Sequence, residues 1–150
     1  MQFIPIPRDG GVWAPGVTLP VVMSVITPTV QMYERRGYLE PWIGYLAIEG
    51  GRCAGTCSFT SPPLEGVVEI AYFTFPDFER RGIATCMAQR LISIAQERDP
   101  SVKIIAHTLM KENASTHILR KLGFVNTGAV HHPKDGNIWE WSYEQKINPA

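Results

Sequence analysis

Between the middle strand and the middle helix of this chain lies Glu79-Arg80-Arg81-Gly82-Ile83-Ala84-Thr85, a set of residue types suited to holding phosphate. Two guanidinium forks match phosphate oxygens, and the small Gly82 and Ala84 let an anion come close to the backbone. The flanking elements make this usable. Val67 to Phe75 is β-branched and aromatic, as a buried strand requires, and Pro76 ends it by removing a ladder donor. From Ile83 the apolar residues recur as Met87, Leu91 and Ile94, with Ala84, Ala88 and Ala95 beside them, a helical period with one buried stripe. The first N–H groups of such a helix lack internal partners and sit at its positive dipole end, favouring an anion by roughly 0.3 to 2 kcal/mol. No Gly-Lys-Ser/Thr follows, and no Gly-x-Gly-x-x-Gly follows the strand, so neither the P-loop nor the dinucleotide fingerprint is present. An ordinary strand, turn and helix would use the same residues, so the turn alone does not decide its role.

The remaining elements read as follows. Phe3 to Ile6 is a short strand, and Gly10 to Pro28, rich in Gly and Pro, suits loops or at most short helices. Thr29 to Arg36 reads as a helix ended by Gly37. Pro41 to Glu49 and Arg52 to Ser61 are two strands joined at Gly50-Gly51, a hairpin signal. Pro62-Pro63 to Gly66 turns the chain into the Val67 strand. After Asp99-Pro100, Val102 to Leu109 is a strand. Asn113 or Ser115 can cap a helix whose Ile118, Leu119 and Leu122 face inward and which ends at Gly123. Phe124 to Val130 and Ile138 to Tyr143 form a last hairpin. About seven strands and three or four helices make a mixed α/β (α+β) chain, expected to be a single domain over 1–150.

Composition bounds the rest. With 45% hydrophobic and 19% charged residues among 150, the chain can bury a core as one globular unit. Fourteen basic against fourteen acidic residues leave no overall field for nucleic acid or an anionic membrane, so neither is expected as a partner. The MQFIPIPRDGG start has no leader pattern and no run approaches the roughly 18 apolar residues of a membrane span, so the expected location is cytoplasmic. Cys53 and Cys57 on one strand would stand about 13 Å apart, too far for a disulfide or a shared metal. The four histidines have no ligand spacing, so no metal is expected. Cys86, just after Gly82, could have its thiol activated by the helix N-terminus, although a small buried residue is the plainer reading.

With these elements in place, Trp42 to Trp141 resembles the GNAT superfamily of N-acetyltransferases. In that family a strand ends in Pro and a Gln/Arg-x-x-Gly-x-Gly/Ala loop opens the helix that binds the pyrophosphate of acetyl-CoA. Here the loop is Glu79-Arg80-Arg81-Gly82-Ile83-Ala84, with Glu79 where Gln or Arg is usual. A second block, AHTLMKENASTHILRKLGF from Ala106 to Phe124, is similar to the family's later strand–helix unit ending here in Lys121-Leu122-Gly123-Phe124. With GTCSF (Gly55 to Phe59), Pro62-Pro63 and VEIAY (Val68 to Tyr72), the pair looks like the branch typified by ribosomal-protein alanine N-acetyltransferases.

The resemblance implies a mostly antiparallel sheet in which the Val67 and Val102 strands are parallel neighbours that splay apart. It implies acetyl-CoA as co-substrate and a primary amine as acceptor, small molecule or protein N-terminus. It also implies cofactor contacts from Tyr72, Phe73, Thr74, the loop Glu79 to Thr85 (Glu79, Arg80, Arg81, Gly82, Ile83, Ala84, Thr85) and Asn113. The Tyr72 N–H would hold the thioester carbonyl, a contact worth about 3 to 4 kcal/mol when aimed at a developing oxyanion.

Attack needs a neutral amine: at pH 7 deprotonation costs about 1.4 kcal/mol for an α-amine and about 4.6 for a lysine. Glu69 and His107 are the two candidate bases, directly or through water; each could equally be a plain strand residue. Many relatives protonate the thiolate with a tyrosine four residues before the Gly of Gly-Phe. Leu119 stands there, and Ser115 is the substitute, unless it only caps its helix. Tyr33, Arg35, Arg36 and Tyr38 could line the acceptor site. The reading is an acetyl-CoA-dependent N-acetyltransferase acting by direct attack. The alternatives are a non-catalytic coenzyme A sensor on the same scaffold and an enzyme for another acyl-CoA. A homodimer is allowed, since symmetric surfaces leave no motif.

Overall fold

A computed structural model of the chain describes residues 1–144. Its elements are β1 (Gln2–Pro5), α1 (Pro20–Arg36), β2 (Gly44–Glu49), β3 (Arg52–Phe59), β4 (Val67–Thr74), α2 (Ile83–Arg98), β5 (Lys103–Thr108), α3 (Ala114–Leu122), β6 (Phe124–His132) and β7 (Gly136–Tyr143), with a 3-10 turn at Pro76–Phe78. The strands form one sheet in the order β1-β2-β3-β4-β5-β7-β6. Every neighbouring pair is antiparallel except β4 and β5. The Gly50-Gly51 hairpin turns as its sequence demands, both glycines having positive φ, 56° and 75°.

The sequence reading errs most in α1, which starts at Pro20 and not at Thr29. Pro20 takes the first helical turn, where an N–H would go unbonded anyway. Pro28 lies inside the helix, and the lost backbone bond is offset by a stripe of Val22, Ile26, Thr29 and Tyr33 buried against the sheet. Tyr33 pegs the helix. Its hydroxyl donates to Ile6 O (2.9 Å) and accepts from Gly44 N–H (2.8 Å), and its burial raises the phenol's pKa well above the usual value. Tyr33 therefore belongs to the core and does not line an acceptor site. Cys86 is also corrected: it is exposed, because Ile83 and Met87 take the inward side of α2.

The splay is present. β4 and β5 pair only through Val67↔Lys103, Val68↔Ile104 and Glu69↔Ile105, after which the ladder stops. Phe75 N–H donates to Ala54 O and Glu69 O accepts from Thr60 N–H, so odd residues of β4 turn their backbone to β3. By alternation the backbone groups of Ile70, Tyr72 and Thr74 face the open side.

Side chains alternate likewise. Gly55, opposite Thr74, faces Met87 of α2, while Gly44, opposite Ser58, faces Thr29 of α1. Ile70, Tyr72 and Thr74 thus share the α2 face, and Glu69, Ala71 and Phe73 the α1 face. Glu69 pairs with Ile105, and His107 pairs with Glu140, which brings all three polar residues to the α1 face. On the opposite face Trp141 is fully buried and Trp139 half-buried.

Candidate active site

Two cavities meet where the strands part. The larger, about 520 Å³, is lined by Tyr72, Phe73, Thr74, Phe78, Glu79, Arg80, Gly82, Ile83, Ala84, Thr85 and three residues of α3. All the expected cofactor residues of β4 and the loop are there except Arg81, whose guanidinium lies 5.3 Å over the Phe78 ring. Arg80 and Gly82 both take left-handed backbone, φ 64° and 76°, and no side chain caps α2. The helix therefore presents its unbonded N–H groups to the cavity, which is what a pyrophosphate needs. The Thr74 hydroxyl is sealed from solvent without a hydrogen-bond partner among the described residues. A buried unpaired hydroxyl is costly, and an amide-bearing ligand in this cavity would relieve it. These residues fit coenzyme A.

The smaller cavity, about 240 Å³, is the slot through the sheet. Glu69, His107 and Ser115 all line it, together with Tyr72, Thr108, Asn113 and Leu119. Ser115 and Tyr72 border both cavities. Burial pushes the Tyr72 phenol up to about 12, so it stays protonated.

Asn113 caps α3. Its side-chain oxygen accepts from Thr116 N–H at 3.2 Å while the Thr116 hydroxyl accepts from Asn113 N–H at 3.0 Å. That capping box leaves the Ser115 hydroxyl free of capping duty. It also engages one lone pair of the Asn113 oxygen and leaves its amide nitrogen for a ligand. Leu119, where the resemblance leads one to expect tyrosine, is buried in the core.

On the α1 side the imidazole of His107 lies between two carboxylates. Its Nδ1 is 3.1 Å from Glu69 Oε2 and its Nε2 is 3.0 Å from Glu140 Oε1. The Thr60 hydroxyl donates to Glu69 Oε1 at 3.3 Å. The two candidate bases are thus one hydrogen-bonded unit, 20 and 27% exposed at the His107 and Glu69 side chains. Glu140 and Thr60 escaped the sequence reading. The signal for Glu140 was a lone carboxylate between Trp139 and Trp141 in a strand, but its partner depended on a register that the sequence does not state.

A third depression, about 210 Å³, runs along the α1 face from Pro28, Thr29 and Met32 over Thr56, Ser58 and Thr60 to Ala71 and Phe73. Of the Gly10 to Pro28 stretch, only Pro28 reaches it. Arg36 and Tyr38 stand outside: Arg36 reaches Thr60 O at 3.5 Å and Tyr38 bonds Glu40. Among the described residues no His, Cys, Asp and Glu side chains gather as metal ligands, and no helix is long and apolar enough to cross a membrane.

Comparison with known proteins agrees with this geometry. Direct sequence comparison with curated proteins returns no match. Among solved structures the chain is similar to the ribosomal L7/L12 α-N-protein acetyltransferase RimL (TM-score 0.69, 15% identity, 93% of this chain and 90% of that one). It is also similar to a chimera of the spermidine N-acetyltransferase SpeG from Vibrio cholerae and hSSAT (0.67, 11%, 95% and 95%). A microcin C7 self-immunity acetyltransferase in complex with acetyl-CoA and AMP also matches (0.65, 16%, 81% and 69%). Such identities speak for the fold. The model of the acetyltransferase (GNAT) domain matches residues 20–125, and the chain therefore belongs to the GNAT acetyltransferase family, whose acyl donor is acetyl-CoA.

Proposed function

We propose that this protein transfers an acetyl group from acetyl-CoA to a primary amine within a ternary complex, the two substrates meeting in the slot between β4 and β5. The single observation that carries the reading is the slot's polarity. Ser115, Tyr72 and the α2 N-terminus lie toward one face, and the Glu69–His107 unit lies on the other. The thioester is held from the α2 side, with the Tyr72 N–H available to the carbonyl oxygen as negative charge develops. The amine arrives from the α1 side.

Glu69 is the base. Both ring nitrogens of His107 already face carboxylate oxygens, so the ring holds Glu69 in place while Glu69 keeps further lone pairs for the amine's proton. The amine nitrogen attacks the carbonyl carbon and the C–S bond breaks with its electron pair going to sulfur. One N–H proton passes to Glu69, directly or through a water. The thiolate takes a proton from the Ser115 hydroxyl, which recovers one from solvent.

Thermal unfolding with acetyl-CoA and with free coenzyme A tests the binding half. At about one hundred times the dissociation constant, binding adds about 2.7 kcal/mol and raises the midpoint by several degrees. Thiol release from acetyl-CoA with a panel of amines tests transfer: an alanine-start peptide, a polyamine and an alkylamine. No midpoint rise at millimolar ligand would sink the cofactor assignment. Binding with no thiol release above background for any amine class would leave a coenzyme A sensor.

A further inference from the structure

We infer that Glu140 is a positioning residue of the acid–base unit: it accepts from His107 Nε2 and thereby fixes the ring that orients Glu69. This rests on the reading of Glu69 as the base.

Three observations carry it. First, the sheet itself builds the row: Glu140 is the register partner of His107 on β7, and the Glu69 register partner, Ile105, lies two residues before His107 on β5, so all three project from one face. Second, the distances on the two sides of the ring are nearly equal, 3.1 and 3.0 Å. Both contacts are ring-donated hydrogen bonds only when the imidazole carries both protons. If Glu140 were absent, the Nε2 end would have no fixed partner and the ring could rotate, releasing Glu69 Oε2. Third, the far side of Glu140 is kept open. Its β6 register partner is Gly128, at a bulge, where an added Cβ would meet nothing within 4 Å.

The groups facing this row from its neighbours are Thr60, just past the end of β3, which holds the other Glu69 oxygen, and Thr127 of β6, whose hydroxyl bonds Glu140 O. Among the described residues no lysine or arginine lies within ion-pair reach of either carboxylate, and the imidazole is their one shared partner. With the ring doubly protonated the row carries one net negative charge, and that charge faces the side from which an ammonium would arrive.

Glu140→Ala removes the acceptor, and Glu140→Gln restores it without the charge, because the amide oxygen can still accept from Nε2. The full chain, labelled with ¹⁵N-histidine, is compared by NMR at one fixed pH. The His107 ring signals are expected to broaden and shift in Glu140→Ala and to return toward wild type in Glu140→Gln, while those of exposed His117 and His131 stay in place. In thiol release from acetyl-CoA, with an alanine-start peptide as the probe amine, kcat is expected to drop on the order of tenfold in Glu140→Ala. Glu140→Gln should recover most of that loss, and KM for acetyl-CoA and its thermal shift should stay unchanged in both.

A Glu140→Ala variant with wild-type His107 ring signals, or with the wild-type kcat, overturns the inference. Glu69→Gln distinguishes the two readings: full activity in that variant removes the base assignment itself, while loss there with a silent Glu140→Ala removes only the role of Glu140. If the wild type does not turn over the peptide, the ring signals decide.

Discussion

The two faces of the sheet solve their tasks with different materials. The α2 face offers backbone: the splayed strand, the left-handed Arg80 and Gly82, and the uncapped helix start. The α1 face offers side chains from three strands, Glu69, His107 and Glu140, with Thr60 bonded to Glu69, and it is these to which we assign the proposed chemistry. A backbone cradle is local in sequence. A side-chain cluster depends on register across the sheet, so its members are scattered along the chain.

That contrast can be broken from either side. Glu69→Gln should have the largest effect, lowering kcat by on the order of 10² to 10⁴ while the acetyl-CoA thermal shift persists. A lost shift would show that the faces are not separate. Gly82→Val should act the other way. A β-branched residue at φ 76° costs about 1 to 2 kcal/mol and intrudes on the cradle, so coenzyme binding should fail in calorimetry while the His107 ring signals stay as in wild type.

Tyr33→Phe leaves Gly44 N–H and Ile6 O without their buried partner, at about 2 kcal/mol, or several degrees of melting temperature. It should raise KM for the amine and leave coenzyme binding alone, since α1 borders only the acceptor side. Native alkylation with iodoacetamide should label Cys86 alone; Cys57, whose thiol burial pushes up to about 12, and Cys53, also raised by burial, react only after unfolding.

The smallest effect belongs to Glu112. The Arg120 guanidinium and the Thr116 hydroxyl hold its carboxyl down at about 2. A depressed folded value stabilises above the unfolded pKa of about 4.5, and that stabilisation fades as pH falls toward 2. Glu112→Gln should therefore melt slightly below wild type at neutral pH and coincide with it near pH 2.

The same contrast explains how much could be read in advance. The loop from Glu79 to Thr85 and the Gly-Phe block are contiguous strings, and they led to the fold, the splay and nearly all of the cofactor cavity. It was the family resemblance carried by these strings that implied Tyr72 and Thr74 on the open side. Glu140 was invisible because a pairing between β5 and β7 spans 33 residues and no local signal encodes its register. The start of α1 was missed for the opposite reason. Pro20 and Pro28 are strong local breakers, and only the buried stripe against β2 and β3 overrides them. Asn113 as cap was legible; that it frees Ser115 was not, because the capping box needs Thr116 to close it.

The early end of the β4–β5 ladder gives the molecule four sheet edges where most have two: β1 and β6 at the rims, β4 and β5 facing each other across a gap. Outer edges invite strand addition by any passing chain, and folds usually blunt them. Here the inner pair is shielded by α3, with Ser115 and Leu119 bordering the gap. What can complete this sheet is therefore narrow, extended and rich in amides, a filter set by the rule that otherwise governs aggregation.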